Sequence, residues 1–379
     1  MPQKKKTVKK QVPSRIRAKK TNGQKIRAKK AVPRRARHSR KKEGFRLQRS
    51  ESNPILSPIG EHPWESNQTF NPAAIFIDGK VHLIYRSIGN DGVSRFGYAA
   101  SYDGTQIDER LPEPAFSLLL NTKEPRPYII YASGGSWGGA EDPRLASIDD
   151  LLYMLFTAID EGGYPRVALT TIPKNDFLAK NWTWTASKLI SPPGEVHKNW
   201  VLFPEKINGK YAVLHSMSPT IDIEYLNNLD FEEKKYIDSE RYHRPDIPVR
   251  NGTWEKGIRG PGPTPIKTKY GWLVLYHGTT EDCGYKMGAL LLDLNDPTKI
   301  ITRAAEPVLE PEEWYESYGW KGGIIYSCGA VIMGNDLLVY YGGADSVVCV
   351  AKTNLDQFLK ELTSTRKPKM TLQRLLSAK

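Results

Sequence analysis

The feature that most constrains the fold is a unit that occurs five times along the chain. Each unit has a strand that begins at or near a proline, a turn, a second apolar strand, and then a third strand. The equivalent points are spaced almost evenly along the chain, at Pro72, Pro143, Pro204, Pro263 and Ala330. Turns rich in Asp, Asn and Gly between β-branched and aromatic runs are typical of β-hairpins.

These units predict an all-β chain and, more specifically, a five-bladed β-propeller. Propeller repeats are often about 40–50 residues long, and the longer spacing here leaves room for a fourth strand and extended loops. A pair of β-sandwiches is the alternative, but it does not explain five matched hairpins. A short C-terminal helix is expected at 354–362.

The formal charge of +13 hides two regions of opposite sign. Residues 1–50 contain 21 Lys and Arg and one acidic residue, Glu43, whereas residues 51–379 carry a net charge of −7. Such charge blocks usually stay disordered because they repel themselves. The sequence therefore predicts a disordered basic tail over 1–50 and a folded domain over 51–379. The tail is interpreted either as a non-specific nucleic-acid contact or as a solubilising extension.

The composition favours a cytoplasmic protein. No uncharged apolar run is long enough to span a bilayer, and residues 1–50 contain no apolar core of a secretory signal. Cys283, Cys328 and Cys349 lack C-x-x-C spacing and lie in apolar surroundings. They are predicted to be buried thiols in a reducing compartment.

Charged side chains stand at matching ends of strands in several units. In a propeller the innermost strands line a central channel, so residues at equivalent positions converge there. The residues concerned are Arg86, Glu141, Asp142, Arg144, Glu205, Lys206, His215, His277 and Asp345. For any one of them a salt bridge is the simpler explanation, but their repetition predicts a polar site. Aromatic residues nearby are either core residues or stacking surfaces for sugar rings.

Cleavage of a glycosidic bond is the chemistry that this pattern favours. The reaction needs a proton donor for the leaving oxygen, and Asp142 is the candidate because it lies between Glu141 and Pro143 at the start of a strand. The alternative is that Asp142 pairs with Arg144 and only braces the blade. Signatures of zinc proteases, P-loop enzymes and serine hydrolases are absent from the sequence.

Several motifs follow one another in order over residues 54–352. They are Phe70–Ala74, Tyr85–Arg86, Ser94–Tyr98, Gly139–Arg144, Arg166–Leu169, Leu202–Ile207, Gly271–Gly278 and Tyr340–Asp345. Together they resemble glycoside hydrolase family 130, the β-mannoside phosphorylases and β-mannosidases. The resemblance implies a five-bladed propeller and inverting cleavage of β-mannosides. It also implies Asp142 as the proton donor, in some members through a sugar hydroxyl.

The resemblance further implies inorganic phosphate as a co-substrate, with no cofactor and no metal. Its phosphate-binding positions fall on Lys198, Lys256 and His277. An Arg expected in a Leu-His-Arg-Pro stretch is missing, because the chain reads Leu214–His215–Ser216–Met217. The residues expected to bind the sugar are Arg86, Arg95, Glu141, Arg144, Glu205, Tyr285 and Asp345.

Three functions stay open at this point. The preferred one is phosphorolysis of a β-linked manno-oligosaccharide to give mannose 1-phosphate. The second is hydrolysis, in which Glu205 or Glu281 would activate water at about 6.5–9.5 Å from the acid. The third is a non-catalytic carbohydrate-binding propeller. No membrane partner is expected, and a homo-oligomer is left open.

Overall fold

The computed structural model describes residues 46–118, 134–159, 164–218, 220–231, 235–239, 254–282 and 284–364. Their regular secondary structure is almost entirely β-strand, as the sequence predicts. Residues 1–45, which make up most of the predicted tail, and Cys283 are outside the described residues. The other two cysteines, Cys328 and Cys349, are buried free thiols as expected.

The described strands form five antiparallel groups, which we call meanders 1 to 5, and a short N-terminal strand, β1 (Gln48–Arg49). A parallel pairing of Val93 with Gly138 and of Ser94 with Gly139 joins the first two groups into one sheet. Meander 1 contains β2 (Gln68–Ile77), β3 (Lys80–Ile88), β4 (Val93–Ser101) and β5 (Glu109–Arg110). Meander 2 contains β6 (Gly138–Ile148), β7 (Leu151–Ile159), β8 (Pro165–Pro173) and β9 (Lys188–Leu189). Meander 3 contains β10 (Val201–Leu202), β11 (Tyr211–Ser216) and β12 (Asp222–Leu226).

In meander 4, β13 (Gly257–Pro261) and β14 (Ile266–Thr268) both pair with β15 (Gly271–Thr279), which is followed by β16 (Tyr285–Leu292) and β17 (Ile300–Arg303). Meander 5 contains β18 (Ile325–Met333), β19 (Asp336–Gly343) and β20 (Val347–Asn354). The helices of the described residues are short: α1 (Lys174–Leu178), α2 (Trp314–Ser317) and α3 (Leu355–Ser364). The last of them confirms the predicted C-terminal helix.

Each meander packs against the next one in the chain. Contacts join β2 to β6, β7 to β10, β11 to β13 and β16 to β18, and a further contact joins β18 back to β2. The second strands of the meanders are apolar along most of their length because both faces of each sheet are covered. In β19, for example, every residue after Asp336 is buried. The series of contacts therefore returns to the meander where it began.

Strand β1 corrects the predicted boundary between residues 50 and 51. Gln48 pairs with Lys352 and Arg49 pairs with Ala351, so β1 is the outer strand of meander 5. Leu47 is buried in the same core. The strand is very short and adjoins a block of positive charge, so local sequence carries no signal for it. Part of the predicted tail is therefore part of the folded domain.

Within the described part of the chain, three meanders contain a Glu–Tyr–Arg triad whose Glu and Tyr are buried. In meander 1 the Tyr85 hydroxyl donates to Glu65 at 2.8 Å, and Arg110 donates to both Tyr85 and Glu65 at 3.0 and 2.6 Å. The corresponding triads of meanders 4 and 5 are Glu255–Tyr276–Arg303 and Glu316–Tyr341–Arg49. Breaking such a buried pair is costly because it leaves an uncompensated charge. In meander 5 the arginine comes from β1, at the opposite end of the chain.

No helix among the residues that the structure describes is long and apolar enough to cross a bilayer. The cytoplasmic location stays a prediction.

Candidate active site

The site is built on irregularities of the innermost strands. The pairing of β2 with β3 skips from Phe70 to Ala73, and β6 departs from regular pairing with β7 at the equivalent point. The skipped residues begin with Asn71 and Asp142, whose φ angles are 45° and 52°. Asn and Asp tolerate this left-handed conformation better than most residues, and bulges of this kind re-aim side chains. Here they bring Asn71 Nδ2 within 2.8 Å of Asp142 Oδ1, to which it donates.

The equivalent residue of meander 3 is Asn199, which has a φ of 65° and lies just before β10. The sequence analysis placed this point at Pro204, which imitates the prolines of the first two units, and so selected Glu205 for the site. The structure does not bring Glu205 to the residues around Asp142, and a role of Glu205 in binding sugar stays a prediction. Glu205 lies beyond β10, is partly exposed and pairs with Lys267 at 2.5 Å. Lys198 and Asn199, which precede β10, are instead at the site, where Lys198 donates to Glu141 and Asn199 accepts from Arg144.

Asp142 is buried among positive charges. Arg86 Nη1 donates to Asp142 Oδ1 at 3.2 Å, whereas Arg144 Nη1 donates to the backbone carbonyl of Asp142 at 2.8 Å. Burial favours the neutral acid, but three cations outweigh it, so the pKa of Asp142 lies below its usual value. These cations are Arg86, Lys198 and Arg144. In the free protein the carboxyl group is therefore ionised at neutral pH.

Glu141 holds two of these cations in place. Its carboxylate is fully buried and accepts hydrogen bonds from Arg86 at 2.9 Å, Ser136 at 2.8 Å and Lys198 at 2.7 Å. Charge-assisted bonds to a buried carboxylate fix the positions of the donors. Arg86 and Glu141, both predicted to bind sugar, thus belong to one cluster with Asp142.

Arg144 links four meanders at the other side of Asp142. Its guanidinium donates to Gly262 O at 2.8 Å, Asn199 Oδ1 at 3.1 Å and the Tyr326 hydroxyl at 3.4 Å. The Tyr326 hydroxyl itself donates to Asn199 Oδ1. The Tyr326 ring stacks on His277, with ring centres 3.9 Å apart and planes at 12°. This wall is rigid because each member has at least two partners.

His277 is neutral in this environment. It is fully buried, and its Nε2 accepts a hydrogen bond from the backbone N–H of Ser327 at 2.9 Å. Burial, aided by the charge of Arg144, lowers the pKa of His277 to about 3. The proton must then sit on Nδ1, which has no hydrogen-bond partner among the described residues. Any contact of His277 with phosphate is consequently that of a neutral donor rather than of a cation.

Asp345 is a third buried carboxyl group in the site, after Asp142 and Glu141. It lies in the turn between β19 and β20 with a φ of 50°. Burial raises the pKa of Asp345 to about 6, with the charge of Arg86 opposing the rise and that of Asp142 adding to it. Its backbone carbonyl accepts a hydrogen bond at 2.7 Å from Gln68 Nε2, which also donates to Gly134 O at 2.9 Å.

The remaining predicted residues differ in where they lie. Tyr285 is buried, and its hydroxyl accepts a hydrogen bond from Arg259 Nε at 2.9 Å. The guanidinium of Arg95 binds both oxygens of the Asp91 carboxylate, at 3.0 and 2.6 Å. Lys256 is exposed. For Arg95 and Lys256 a role in binding stays a prediction.

Four residues of the cluster were missed in the sequence: Asn71, Ser136, Asn199 and Tyr326. A signal existed for Asn71, because Asn71–Pro72 corresponds to Asp142–Pro143 in the next unit. Asn199 is followed by Trp200 and Tyr326 by Ser327, so neither carries the proline that marks the other units. A search of the described residues finds no group of His, Cys, Asp and Glu arranged to hold a metal ion.

Comparison with known proteins identifies the family. The family model described as beta-1,4-mannooligosaccharide phosphorylase matches residues 33–364. The chain belongs to glycoside hydrolase family 130. The family 130 relatives include the 1,2-beta-oligomannan phosphorylase of Thermoanaerobacter sp. (strain X514), which is 38% identical over 317 residues and aligns over 81% of this chain and 97% of its own.

Two further family 130 proteins are similar over most of their length. The beta-1,2-mannobiose phosphorylase of the same Thermoanaerobacter strain is 38% identical over 323 residues, which span 81% of this chain and 97% of the relative. The structure of the beta-1,2-mannobiose phosphorylase from Listeria innocua, in complex with beta-1,2-mannobiose, matches with a TM-score of 0.63 at 26% identity. That match covers 83% of this chain and 99% of the Listeria chain. Family membership makes the chain an enzyme acting on β-mannosides, and phosphate is the co-substrate of family 130 phosphorylases.

Proposed function

We propose that this protein is a phosphorylase of β-1,2-linked manno-oligosaccharides. The observation that carries the proposal is the position of Asp142, a buried carboxyl group at a strand bulge, facing cations from its own and the neighbouring meanders. The linkage is taken from the relatives, since both Thermoanaerobacter enzymes and the Listeria enzyme are described as acting on β-1,2-linked mannosides.

The fold that we propose for this activity is a five-bladed propeller, with each meander as one blade. Two observations support it: the meanders contact one another in chain order, and the last contacts the first. The first strand of each blade then lies nearest the axis. Residues from equivalent positions, such as Asn71, Asp142 and Asn199, meet there for that reason.

In the proposed reaction Asp142 supplies the proton that the leaving oxygen takes up. A phosphate oxygen forms a bond to the anomeric carbon from the face opposite the leaving group, while the glycosidic bond breaks. Inversion converts the β-mannoside into α-mannose 1-phosphate. Arrival of a phosphate dianion places negative charge near the cations that keep the pKa of Asp142 low, and a nearby negative charge favours the protonated carboxyl.

Phosphate is proposed over water because cations lie beside Asp142. Lys198 and Arg144 lie in the cluster, and Arg is suited to bidentate recognition of phosphate. Glu205, one of the carboxylates considered as a base for hydrolysis, pairs with Lys267 away from the cluster. Hydrolysis remains the second candidate because Ser216 stands where the family has a phosphate-binding Arg.

The test is incubation of the protein with β-1,2- and β-1,4-mannobiose, each with and without inorganic phosphate. We expect α-mannose 1-phosphate and mannose from the β-1,2-linked sugar only when phosphate is present, as detected by ³¹P NMR. Release of mannose at equal rates with and without phosphate would establish hydrolysis instead. Faster phosphorolysis of the β-1,4-linked sugar would overturn the proposed linkage but not the proposed reaction.

A further inference from the structure

Large aromatic side chains are exposed in the segment that follows α2. Trp320 is 65% exposed and Tyr318 is 78% exposed, whereas most aromatic residues of the described chain are buried. Exposed apolar side chains that lie together commonly mark a binding site, whereas isolated ones do not. The segment lies between meanders 4 and 5 in the chain, and none of the functions assigned above uses it.

Trp320 adjoins the candidate active site through two glycines. Its indole lies against Gly135, so closely that a Cβ atom added there would be 2.8 Å from Trp320 Cε2. A Cβ atom added to the preceding residue, Gly134, would be 3.0 Å from Arg86 Nη1, the atom that donates to Asp142. The exposed ring is thus part of the rim of the cluster around Asp142.

The backbone that carries Trp320 is fixed to the turn that carries Asp345. The N–H of Trp320 donates to Ser346 Oγ at 2.7 Å, and the N–H of Lys321 donates to Ala344 O at 2.9 Å. Gly319 packs so tightly that an added Cβ atom would be 2.5 Å from Ser346 Oγ. A binding surface held in this way loses little conformational freedom when a ligand binds.

Lys321 continues the rim toward the wall of the site. Its ammonium group lies 5.2 Å from the ring centre of Tyr285. Tyr285 in turn accepts a hydrogen bond from Arg259. The rim therefore presents the apolar ring of Trp320 with polar donors beside it. Most ligand sites combine aromatic side chains with a few polar groups in this way.

We propose that Trp320 binds the sugars beyond the first one on the leaving side of the cleaved bond, and that the enzyme therefore prefers manno-oligosaccharides longer than two units. In a β-mannopyranose the hydrogens on C1, C3 and C5 all point to one face, which makes that face apolar and slightly positive. Such a face stacks favourably on the negative face of an aromatic ring. Asp142 must protonate the leaving oxygen, so a ring on the rim beside Asp142 meets that part of the chain. The inference rests on the proposed function because it names which part of that substrate is bound.

The test compares Trp320→Ala with the wild type on β-1,2-mannobiose, mannotriose and mannotetraose in the presence of phosphate. We expect kcat/KM for the tetraose to fall about tenfold, the size expected for one stacked ring, through KM rather than kcat. The loss on the biose should be smaller. Trp320→Tyr should restore most of the activity on the tetraose. Trp314→Ala is the matched control, because Trp314 is 64% exposed on α2.

Equal kcat/KM values for the variant and the wild type at every chain length would overturn the proposal, as would a loss in kcat alone. Binding of mannotetraose without phosphate, followed by calorimetry, needs no turnover and separates this proposal from the proposed function. If Trp320→Ala binds mannotetraose more weakly than Trp314→Ala does, the role of Trp320 in binding is supported, even if the protein hydrolyses its substrate. If the biose is phosphorolysed but Trp320→Ala binds the tetraose as tightly as the wild type, the role of Trp320 is overturned and the proposed function is not.

Discussion

In this site two carboxyl groups near the same cations have pKa values that are shifted in opposite directions. Asp142 receives hydrogen bonds from Asn71 and Arg86, and its pKa is depressed, whereas burial leaves the pKa of Asp345 raised to about 6. Pairs of acids whose environments push their pKa values apart are common where acid and base roles are divided. A proton taken up by the site therefore goes to Asp345 before it goes to Asp142.

At this scale we predict that Asp142→Asn removes turnover and leaves the fold intact. An amide cannot donate the required proton, and general acid catalysis contributes about 10²–10⁴-fold. The measurement is the rate of mannose 1-phosphate release, with circular dichroism as the check on folding. Asp78→Asn, a change at an exposed turn residue outside the site, is the control and should stay close to wild type. A loss smaller than about tenfold would exclude Asp142 as the acid.

We also predict that Asp345→Asn stabilises the protein at high pH. A raised pKa means that the contribution of Asp345 to stability is full below its unfolded value of 3.8 and is lost as the pH rises through about 6. The neutral amide avoids this loss and accepts the same backbone conformation. The gain at pH 8 should be on the order of 2–3 kcal/mol relative to pH 4, from the shift in pKa.

Urea unfolding at pH 4, 6 and 8 measures this difference. Asp78→Asn is the matched control, because Asp78 is exposed and has the same φ of 50° in its turn. The free energy of unfolding of that control should follow the wild type at every pH. If the free energy of unfolding has the same pH dependence in Asp345→Asn and in the wild type, the raised pKa does not belong to Asp345.

Among the elements, the hairpins were predictable and the bulges were only partly so. Turns such as Asp78–Gly79 and Asn208–Gly209 are encoded locally, so the five units could be read from the sequence. A bulge depends on pairing with the neighbouring strand, and in meander 3 no proline marks it. This is why Asn199 was missed while Asp142 was found, and why Pro204 misplaced the third unit.

Strand β1 shows that very short strands are difficult to predict from local sequence. Its contacts also support a prediction about truncation of the chain. A chain that begins at residue 46 keeps β1, whereas one that begins at residue 51 loses it. The shorter chain leaves Glu316, a fully buried carboxylate, without Arg49 Nε at 2.7 Å. Breaking a buried pair costs about 3–5 kcal/mol, so the chain from residue 51 should unfold at clearly lower urea concentration. Equal midpoints for the two chains would show that β1 is dispensable.

At the scale of the whole molecule the charge is distributed very unevenly. Residues 1–45 hold 19 Lys and Arg and one acidic residue, Glu43. They lie outside the described residues, and the predicted contact with nucleic acid stays a prediction. The repeat, by contrast, could be recognised across the entire domain because its spacing does not depend on side-chain geometry.

We predict that the full chain binds double-stranded DNA of arbitrary sequence, and that the chain from residue 46 does not. Binding through phosphate contacts releases counterions, so the affinity should fall steeply between about 50 and 200 mM salt, by about 10³-fold or more if six or more contacts form. Fluorescence anisotropy with a labelled duplex measures both effects. If the two chains bind the duplex equally, the tail does not contribute to binding and its interpretation as a solubilising extension is favoured.

The pairing of β1 with β20 has a consequence for the synthesis of the protein. Gln48 leaves the ribosome long before its partner Lys352 does. At about 5–20 residues per second, the emerging chain waits roughly 15–60 s before its first strand has a neighbour. During that interval the edges of the early sheets have no cover, and such edges invite pairing with other chains. The uncovered sheet edges of neighbouring nascent chains on one messenger RNA can therefore pair with one another until the last strand of each chain is released.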